Sequence, residues 1–473
     1  MPEKKNSFYI TTTLPYVNAE PHIGFAMEII QADIIARFKA LQGFDVFFNT
    51  GTDEHGLKLY QKALDFGEDP QDYVDRYVLK YKELEEALGL SKDIRFIRTT
   101  EEKHKEAARV FWELCDKNGY IYKKIYKAKY CTGCELERMD HELPNGRCFL
   151  HPHLEIVLID EENYFFKFSA FGPKLLKLYN SKDNFVTPDF RLNEIRALID
   201  RGLEDFSISR LKSKMPWGVE VPGDPEHVMY VWFDALVSYI STLDWPKDKE
   251  NFDKYWPAVQ FAGKDQVRQQ AAMWQAMLMA AGLPPSRQIV IHGFINYEGE
   301  KMSKSLGNVV TPQEVIEEYG LDALRYFVSR EFHQFEDTDI SKEKLKVSYN
   351  ANLANGLGNL VSRIMQLAET NLDKPAEIRE TEDLSELFSI LDNFEINKAS
   401  NYIWAKIADL DKKIQETKPW ESKDKDLISD LVRNLYSIAR MLNPIMPETS
   451  RKIKDLVKSN RKPETPLFLR KNA

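Results

Sequence analysis

Cys131 and Cys134, and further on Cys148 and His151, form two pairs that each enclose two residues. Such knuckles are how tetrahedral zinc takes two ligands from each of two short turns. Three thiolates and one imidazole close the coordination shell, so a metal held here is structural rather than catalytic. Spacing favours His151 over His153 or His141. A redox Cys-x-x-Cys pair would need no matched second pair, and incidental buried thiols are the plain alternative. Cys115 falls in a helical run with Val110, Phe111 and Leu114 and reads as core.

Two other stretches suit phosphate. Pro21-His22-Ile23-Gly24-Phe25 opens a helical pattern in which Ile23, Met27, Ile30, Ile34, Phe38 and Leu41 recur at steps of three or four. Gly43 supplies its stop. The N–H groups and dipole of a helix N-terminus attract a polyphosphate. His22 adds a donor there, and Gly24 lets a nucleotide approach the backbone. Lys301-Met302-Ser303-Lys304-Ser305 sets two lysines three apart on a polar stretch that could close over the same phosphates.

Other candidates gain meaning only in company. Asp53, in the loop 50–56, offers a carboxylate to an ammonium group; alone, Asp53 and His55 read as turn and capping residues. Tyr16, Trp232 and Tyr239 read first as core, although aromatic walls suit a thioether. Asn359 and Arg363 are four apart and share a helical face, and Trp420 follows Pro419 at a helix end. Unpaired RNA bases stack on aromatics and bond to groups such as Asn and Arg; the simpler reading is a surface Arg and a half-buried Trp.

The elements that must position these residues follow an α/β rhythm. Residues 7–14 and 44–48 read as strands flanking the first helix, with ligand loops at the strands' C-terminal ends. From 119 to 227 the pattern breaks into short strands, turns and cysteines. Residues 228–236 read as a strand running into a helix; strand 259–263, helix 270–281 and strand 289–292 then restore the rhythm. The expected class is a Rossmann-type doubly wound parallel sheet with a zinc-binding insertion, followed by an all-α helical bundle. In the last part, Leu353, Leu357, Leu360 and Ile364, and later Ile396, Ile403, Ile407, Leu410 and Ile414, step at helical spacing. The charged stretch 371–383 reads as a flexible connection.

A chain of 473 residues with 43% hydrophobic and 29% charged content holds several sizeable cores. Its polar first six residues and lack of a long apolar run point to the cytoplasm and away from membranes. Four cysteines make no disulfide framework. The net charge of −9 argues mildly against nucleic acid, yet the stretch from Arg440 onward carries 9 basic and 3 acidic residues. That end suits either a phosphate backbone or a solvated helix.

Taken in order, the His22 and Lys301–Lys304 motifs resemble the HIGH and KMSKS signatures of class I aminoacyl-tRNA synthetases. The segment 14–24, the loop 51–56, Tyr230-Val231-Trp232-Phe233-Asp234-Ala235 and Gly358-Asn359-Leu360-Val361-Ser362-Arg363 resemble the methionyl-tRNA synthetase family over essentially the whole chain. The resemblance is to the branch with a single zinc knuckle. It implies a ligase that activates methionine with ATP and Mg²⁺ and charges tRNA(Met) for protein synthesis, initiation included. It implies catalysis by His22, Lys301 and Lys304, and ATP binding by these with Gly24. Leu14, Tyr16, Asp53, Trp232, Ala235, Tyr239 and Gln270 would line the methionine pocket, and Asn359, Arg363 and Trp420 would read the anticodon. One structural zinc would sit on Cys131, Cys134, Cys148 and His151.

The implied domains are a catalytic domain over 1–118 and 228–300, an insertion over 119–227, a KMSKS and stem-contact region over 301–350, and an anticodon-binding domain over 351–473. The chain ends without the family's additional C-terminal dimerisation domain, so a monomer is expected. Two departures stand out. Phe25 replaces the signature's second histidine; Arg268, in the same divergent stretch as Gln270, is a candidate substitute donor, and a plain surface residue is the alternative. Gln266 and Gln270 replace an apolar residue and a pocket histidine. Rival readings are a synthetase for a branched or thiol amino acid, a non-catalytic tRNA-binding relative, and a small-molecule nucleotidyltransferase. The first lacks an editing insertion and a cysteine near Tyr16; Asp53, Lys301 and Lys304 oppose the second; the third leaves the helical end unexplained.

Overall fold

A computed structural model describes residues 6–18, 20–134, 136–138, 142–302, 310–378 and 384–472. It forms two compact units: one of Met1–Glu20, Asp45–Glu83 and Lys92–Ile291, the other of Pro21–Phe44, Leu84–Ser91 and His292–Ala473.

The first unit is organised by a six-stranded sheet. Its spatial order is Arg95–Arg98, Asp45–Thr52, Ser7–Thr11, Val259–Gly263, Gln288–His292 and Val186–Thr187. Ser7–Thr11 runs parallel to both its neighbours, as a strand covered on two faces does. Val259–Gly263 is buried at every position, the polar Gln260 included. Regular pairing of the first strand stops at Thr11 rather than reaching residue 14. Pro15 has no N–H to give a ladder, but its carbonyl accepts from Asp53 N at 3.0 Å and Val17 N donates to Asp53 O at 3.3 Å. A single parallel bridge thus joins Tyr16 to Asp53 beyond the C-terminal ends of two adjacent strands. That is where such sheets bind ligands.

The stretch expected as an insertion is dominated by a long antiparallel pair, Ile121–Cys131 with Ile156–Phe166, in register from Ile121↔Phe166 to Cys131↔Ile156. Its far end carries the cysteine knuckles. Val186–Thr187, from the same stretch, pairs with Gln288–His292 and ends the parallel sheet.

Among the described residues the second unit contains the helix Ile23–Leu41 and nine further complete α-helices. Asp33, in the middle of that helix, is buried and accepts from Arg325 Nη2 at 2.7 Å, Arg37 Nε at 2.6 Å and Ser91 N and Oγ at 2.9 and 2.7 Å. Burial alone would raise its pKa, but Arg325, Arg37 and the Ser91 bond hold it below the usual carboxylate range. Arg325 also donates to the Ile445 and Pro444 carbonyls, which fastens the helix to the C-terminal bundle. Among the described residues no strand follows Thr338–Ile340. Leu353, Leu357, Leu360, Ile364, Ile396, Ile403, Ile407, Leu410 and Ile414 are all buried, as their spacing requires. Residues 379–383 of the expected connection lie outside the described residues. No helix among the described residues is long and apolar enough to cross a membrane.

Candidate active site and metal centre

His22 is the N-cap of Ile23–Leu41, and its Nδ1 accepts from Gly24 N at 3.1 Å. A neutral imidazole that accepts at Nδ1 carries its proton on Nε2, so the exposed ring presents a donor at the helix start. A Cβ on Gly24 would lie 2.9 Å from the ring, so glycine is what lets the ring fold over the first turn. Phe25 is half-buried and Arg268 is exposed. Ile23 N donates to Val310 O at 3.3 Å, which ties the helix start to the segment following the lysine motif. Lys301 lies in the short strand Glu300–Lys301, opposite Asn296. Lys304 lies outside the described residues.

In the first unit, the loop bearing Asp53 is fixed by its neighbours. Glu54 receives Arg98 in a fork, Nε to Oε1 at 2.7 Å and Nη2 to Oε2 at 2.8 Å, with Thr52 Oγ1 at 2.6 Å and Thr100 Oγ1 at 2.5 Å. Trp217 Nε1 donates to the Glu54 carbonyl at 2.6 Å. His55 is not a capping residue: its Nδ1 lies 2.5 Å from Asp234 Oδ2, and His104 Nε2 lies 2.7 Å from Asp234 Oδ1. All three are buried. The His55 pair pins the loop carrying Asp53 to the helix Val231–Ala235, which carries Trp232 and Ala235. Forks of this kind position a site with little freedom.

Full burial would raise the Asp234 pKa, but His55 and His104, as donors and as positive charge when protonated, hold it well below the usual carboxylate range. A depressed folded pKa contributes stability that is present above the unfolded value and lost as pH falls toward the folded one. Asp234→Asn is therefore expected to cost about 1–3 kcal/mol at pH 7. The gap in urea midpoint should narrow as both proteins are taken below about pH 4. A gap that widens on acidification would contradict the assignment.

The sequence-expected pocket residues of this unit gather in two groups. Tyr16 and Trp232 pack with Tyr130, Tyr230 and Val231. Leu14 and Trp232 also pack against the main core that contains Tyr239. Trp232 Nε1 is buried with no hydrogen-bond partner among the described residues. Ala235 and Tyr239 lie one and two helical turns on, both nearly covered. Gln270, in a π-helical turn at Gln269–Met273, donates from Nε2 to Tyr239 Oη at 2.7 Å. Turns of this kind often mark functional sites. Glu54, Arg98, His55, His104 and Asp234 were missed as supports, since nothing local in the sequence pairs residues so far apart.

In the second unit, Asn359 is exposed at the start of Asn359–Asn371, and Arg363 one turn later donates to Asp411 Oδ1 at 2.7 Å. With its amide oxygen turned inward, Gln415 also accepts from both Arg363 Nη atoms, at 3.1 and 3.2 Å. Asp411 and Gln415 belong to Ile396–Thr417, the helix that leads into Trp420, a residue 43% exposed. An aromatic surface and an Arg fork thus lie on connected elements.

The metal-ligand candidates converge. The ligand atoms of Cys131, Cys134, Cys148 and His151 all lie within 4.8 Å of one another. Cys134 Sγ is 3.1 Å from His151 Nδ1 and 3.5 Å from Cys148 Sγ, and Cys131 Sγ is 3.8 Å from His151 Nδ1. Zinc–sulfur bonds of about 2.3 Å put tetrahedral neighbours roughly 3.8 Å apart, so the cluster has the size of a zinc shell. Burial would raise the Cys148 pKa, but backbone N–H groups of Leu150 and His151 and its thiol neighbours lower it, which favours the thiolate. A Cβ on Gly133 would lie 2.5 Å from His151 Cγ, so the first knuckle needs glycine for the ring to reach. Cys115, by contrast, is buried core, its thiol pushed up by burial.

Comparison with known proteins agrees with this architecture. The family model described as tRNA synthetases class I (M) matches residues 8–150 and 131–365. The methionine–tRNA ligase of Thermotoga maritima is 40% identical across 96% of this chain and 76% of its own length. That of Brucella melitensis is 37% identical across 96% of this chain and 92% of its own. The solved structure of Mycobacterium tuberculosis methionyl-tRNA synthetase in complex with methionyl-adenylate superimposes with a TM-score of 0.89 at 37% identity, covering 95% of this chain and 93% of that one. The fold is thus that of a class I tRNA synthetase. Within that class, the chain belongs to the methionine–tRNA ligase family.

Proposed function

We propose that the chain activates methionine with ATP to methionyl-adenylate and then esterifies the 3′ end of tRNA(Met), with the following division of work. The methionine carboxylate attacks the α-phosphorus and pyrophosphate leaves; the tRNA hydroxyl then attacks the acyl carbon and AMP leaves. No covalent protein nucleophile is needed, so catalysis is positioning and charge stabilisation. His22, Lys301 and Lys304 serve the phosphates, with Gly24 allowing close approach and Mg²⁺ on the nucleotide. Asp53 accepts the α-ammonium. Leu14, Tyr16, Trp232, Ala235, Tyr239 and Gln270 hold the side chain. Zinc on the Cys131, Cys134, Cys148 and His151 cluster would have no open position and would supply folding energy alone.

The observation that carries the reading is the Tyr16–Asp53 bridge, which sets a carboxylate beside aromatic walls at the strand ends. Amino-acid-dependent ATP–pyrophosphate exchange across the twenty amino acids tests it. Methionine should be the substrate by a wide margin, and exchange with another amino acid alone would overturn it.

We assign 1–118 and 228–300 to the catalytic domain, 119–227 to the insertion, 301–350 to the KMSKS and stem-contact region and 351–473 to anticodon reading by Asn359, Arg363 and Trp420. The enzyme is assigned to the cytoplasm as a monomer. Trp420→Ala should lower kcat/KM for tRNA about 10- to 100-fold, the value of one lost stacking contact, with pyrophosphate exchange nearly intact. Equal charging of tRNA with an altered anticodon by wild type and variant would remove Trp420 as the reader.

A further inference from the structure

One donor at the tip of the long hairpin is aimed at a candidate metal ligand rather than at an oxygen. Arg138 Nη2 lies 2.8 Å from Cys134 Sγ. The backbone holds the arginine in place for this contact. Arg138 N donates to Lys129 O at 2.8 Å, next to the pairing of Leu136–Glu137 with Cys131 and Tyr130. The other amino group, Nη1, donates to Glu142 Oε1 at 3.0 Å, and the guanidinium carbon lies 5.5 Å from the centre of the Phe149 ring. The arginine side chain is only 8% exposed.

Charge balance gives this contact a purpose. Three thiolates and a neutral imidazole around a divalent ion leave one net negative charge. A buried charge without a partner is costly, and Cys131 and Cys148 are fully buried. Arg138 supplies a positive charge that a guanidinium does not lose. Glu142 belongs to the same network, but it is 28% exposed and meets the amino group that does not touch the sulfur. Solvent therefore screens its charge more than that of the sulfur.

We propose that Arg138 is a positioning residue of the metal centre: its N–H on Cys134 Sγ offsets the anionic charge of the ligand shell, tightens zinc binding and makes the bound thiolate less nucleophilic. The proposal rests on the reading of the cluster as a zinc site and adds a residue that is not itself a ligand. Partners of this kind orient and tune the ligands they touch.

The test is zinc affinity, measured by competition with a chromogenic chelator on the purified full chain. Arg138→Met should weaken it about 10- to 100-fold, the usual effect of removing such a partner, with all four ligands still present. Arg138→Lys, which keeps the charge but not the planar fork, should recover part of the loss. Iodoacetamide should release zinc faster from Arg138→Met, because the sulfur lone pairs are no longer held by an N–H. Cobalt(II) in place of zinc gives a readout that a merely loosened tip would not move. Without the N–H the sulfur lone pairs rise in energy, so the sulfur-to-cobalt charge-transfer band should shift to longer wavelength. Loosening alone would weaken the band at an unchanged wavelength. If Arg138→Met does not fold, Arg138→Gln, which loses the charge and keeps a polar tip, carries the zinc comparison. An unmoved band or an unchanged zinc affinity overturns the role of Arg138. Wild-type protein that binds no zinc overturns the zinc reading and the proposal with it.

Discussion

Lys304→Ala is expected to lower methionine-dependent pyrophosphate exchange by about 10²-fold or more, the cost of removing one preorganised donor from a developing charge. The loss should fall on kcat, with little change in the KM for ATP. The reason lies in where charge moves: as the carboxylate attacks, negative charge builds on the equatorial oxygens and the departing pyrophosphate. An ammonium that meets this charge only in the transition state contributes to rate rather than to ground-state binding. Lys301→Ala, the secondary candidate, should cost less. His22 differs from both, because its ring also caps the helix through Gly24. Its replacement by Ala should therefore remove about 1 kcal/mol of stability as well as a donor. Exchange unchanged in Lys304→Ala would take this lysine out of the mechanism.

How much of this was legible depended on how locally each feature is encoded. The helix Ile23–Leu41 was readable because its apolar period, its N-terminal His22 and its Gly43 stop lie within one window. The zinc shell was readable because knuckle spacing is itself the geometry. Asp53 was readable as a candidate, but what holds it was not. Arg98 meets Glu54 across 44 positions, and Asp234 meets His104 across 130 and His55 across 179. No periodicity relates such residues; only the closing of the parallel sheet does. His55 was accordingly read as a turn residue and is instead half of a buried pair. Val186–Thr187 escaped notice for a different reason, since two residues carry no pattern. Gln266 and Gln270 were legible only as departures from a resemblance. The bond from Gln270 to Tyr239 was not legible, because it spans 31 positions.

Zinc is expected at one ion per chain, and Cys148→Ser should release it and loosen the long hairpin rather than the sheet. Structural zinc sites contribute folding energy directly, with apparent binding free energies of about 10–16 kcal/mol in small zinc domains. Here the ligands close a tip whose own apolar cluster is small: Cys131, Leu143 and Cys148, with Cys134 and Ile156 against them. The hairpin root is different. Phe165 and Phe166 are buried, and Phe166 stacks on Phe171 at 5.6 Å, so the root is held by packing that zinc does not supply. Hydrogen exchange should therefore accelerate around the knuckles in the variant, while amides at Ser7–Thr11 and Val259–Gly263 keep their protection. Gly133→Ala should act in the same direction through crowding of His151, with every ligand still present. Stoichiometric zinc retained in Cys148→Ser, or a collapse of protection across the whole sheet, would show that the metal site is not the local clasp described.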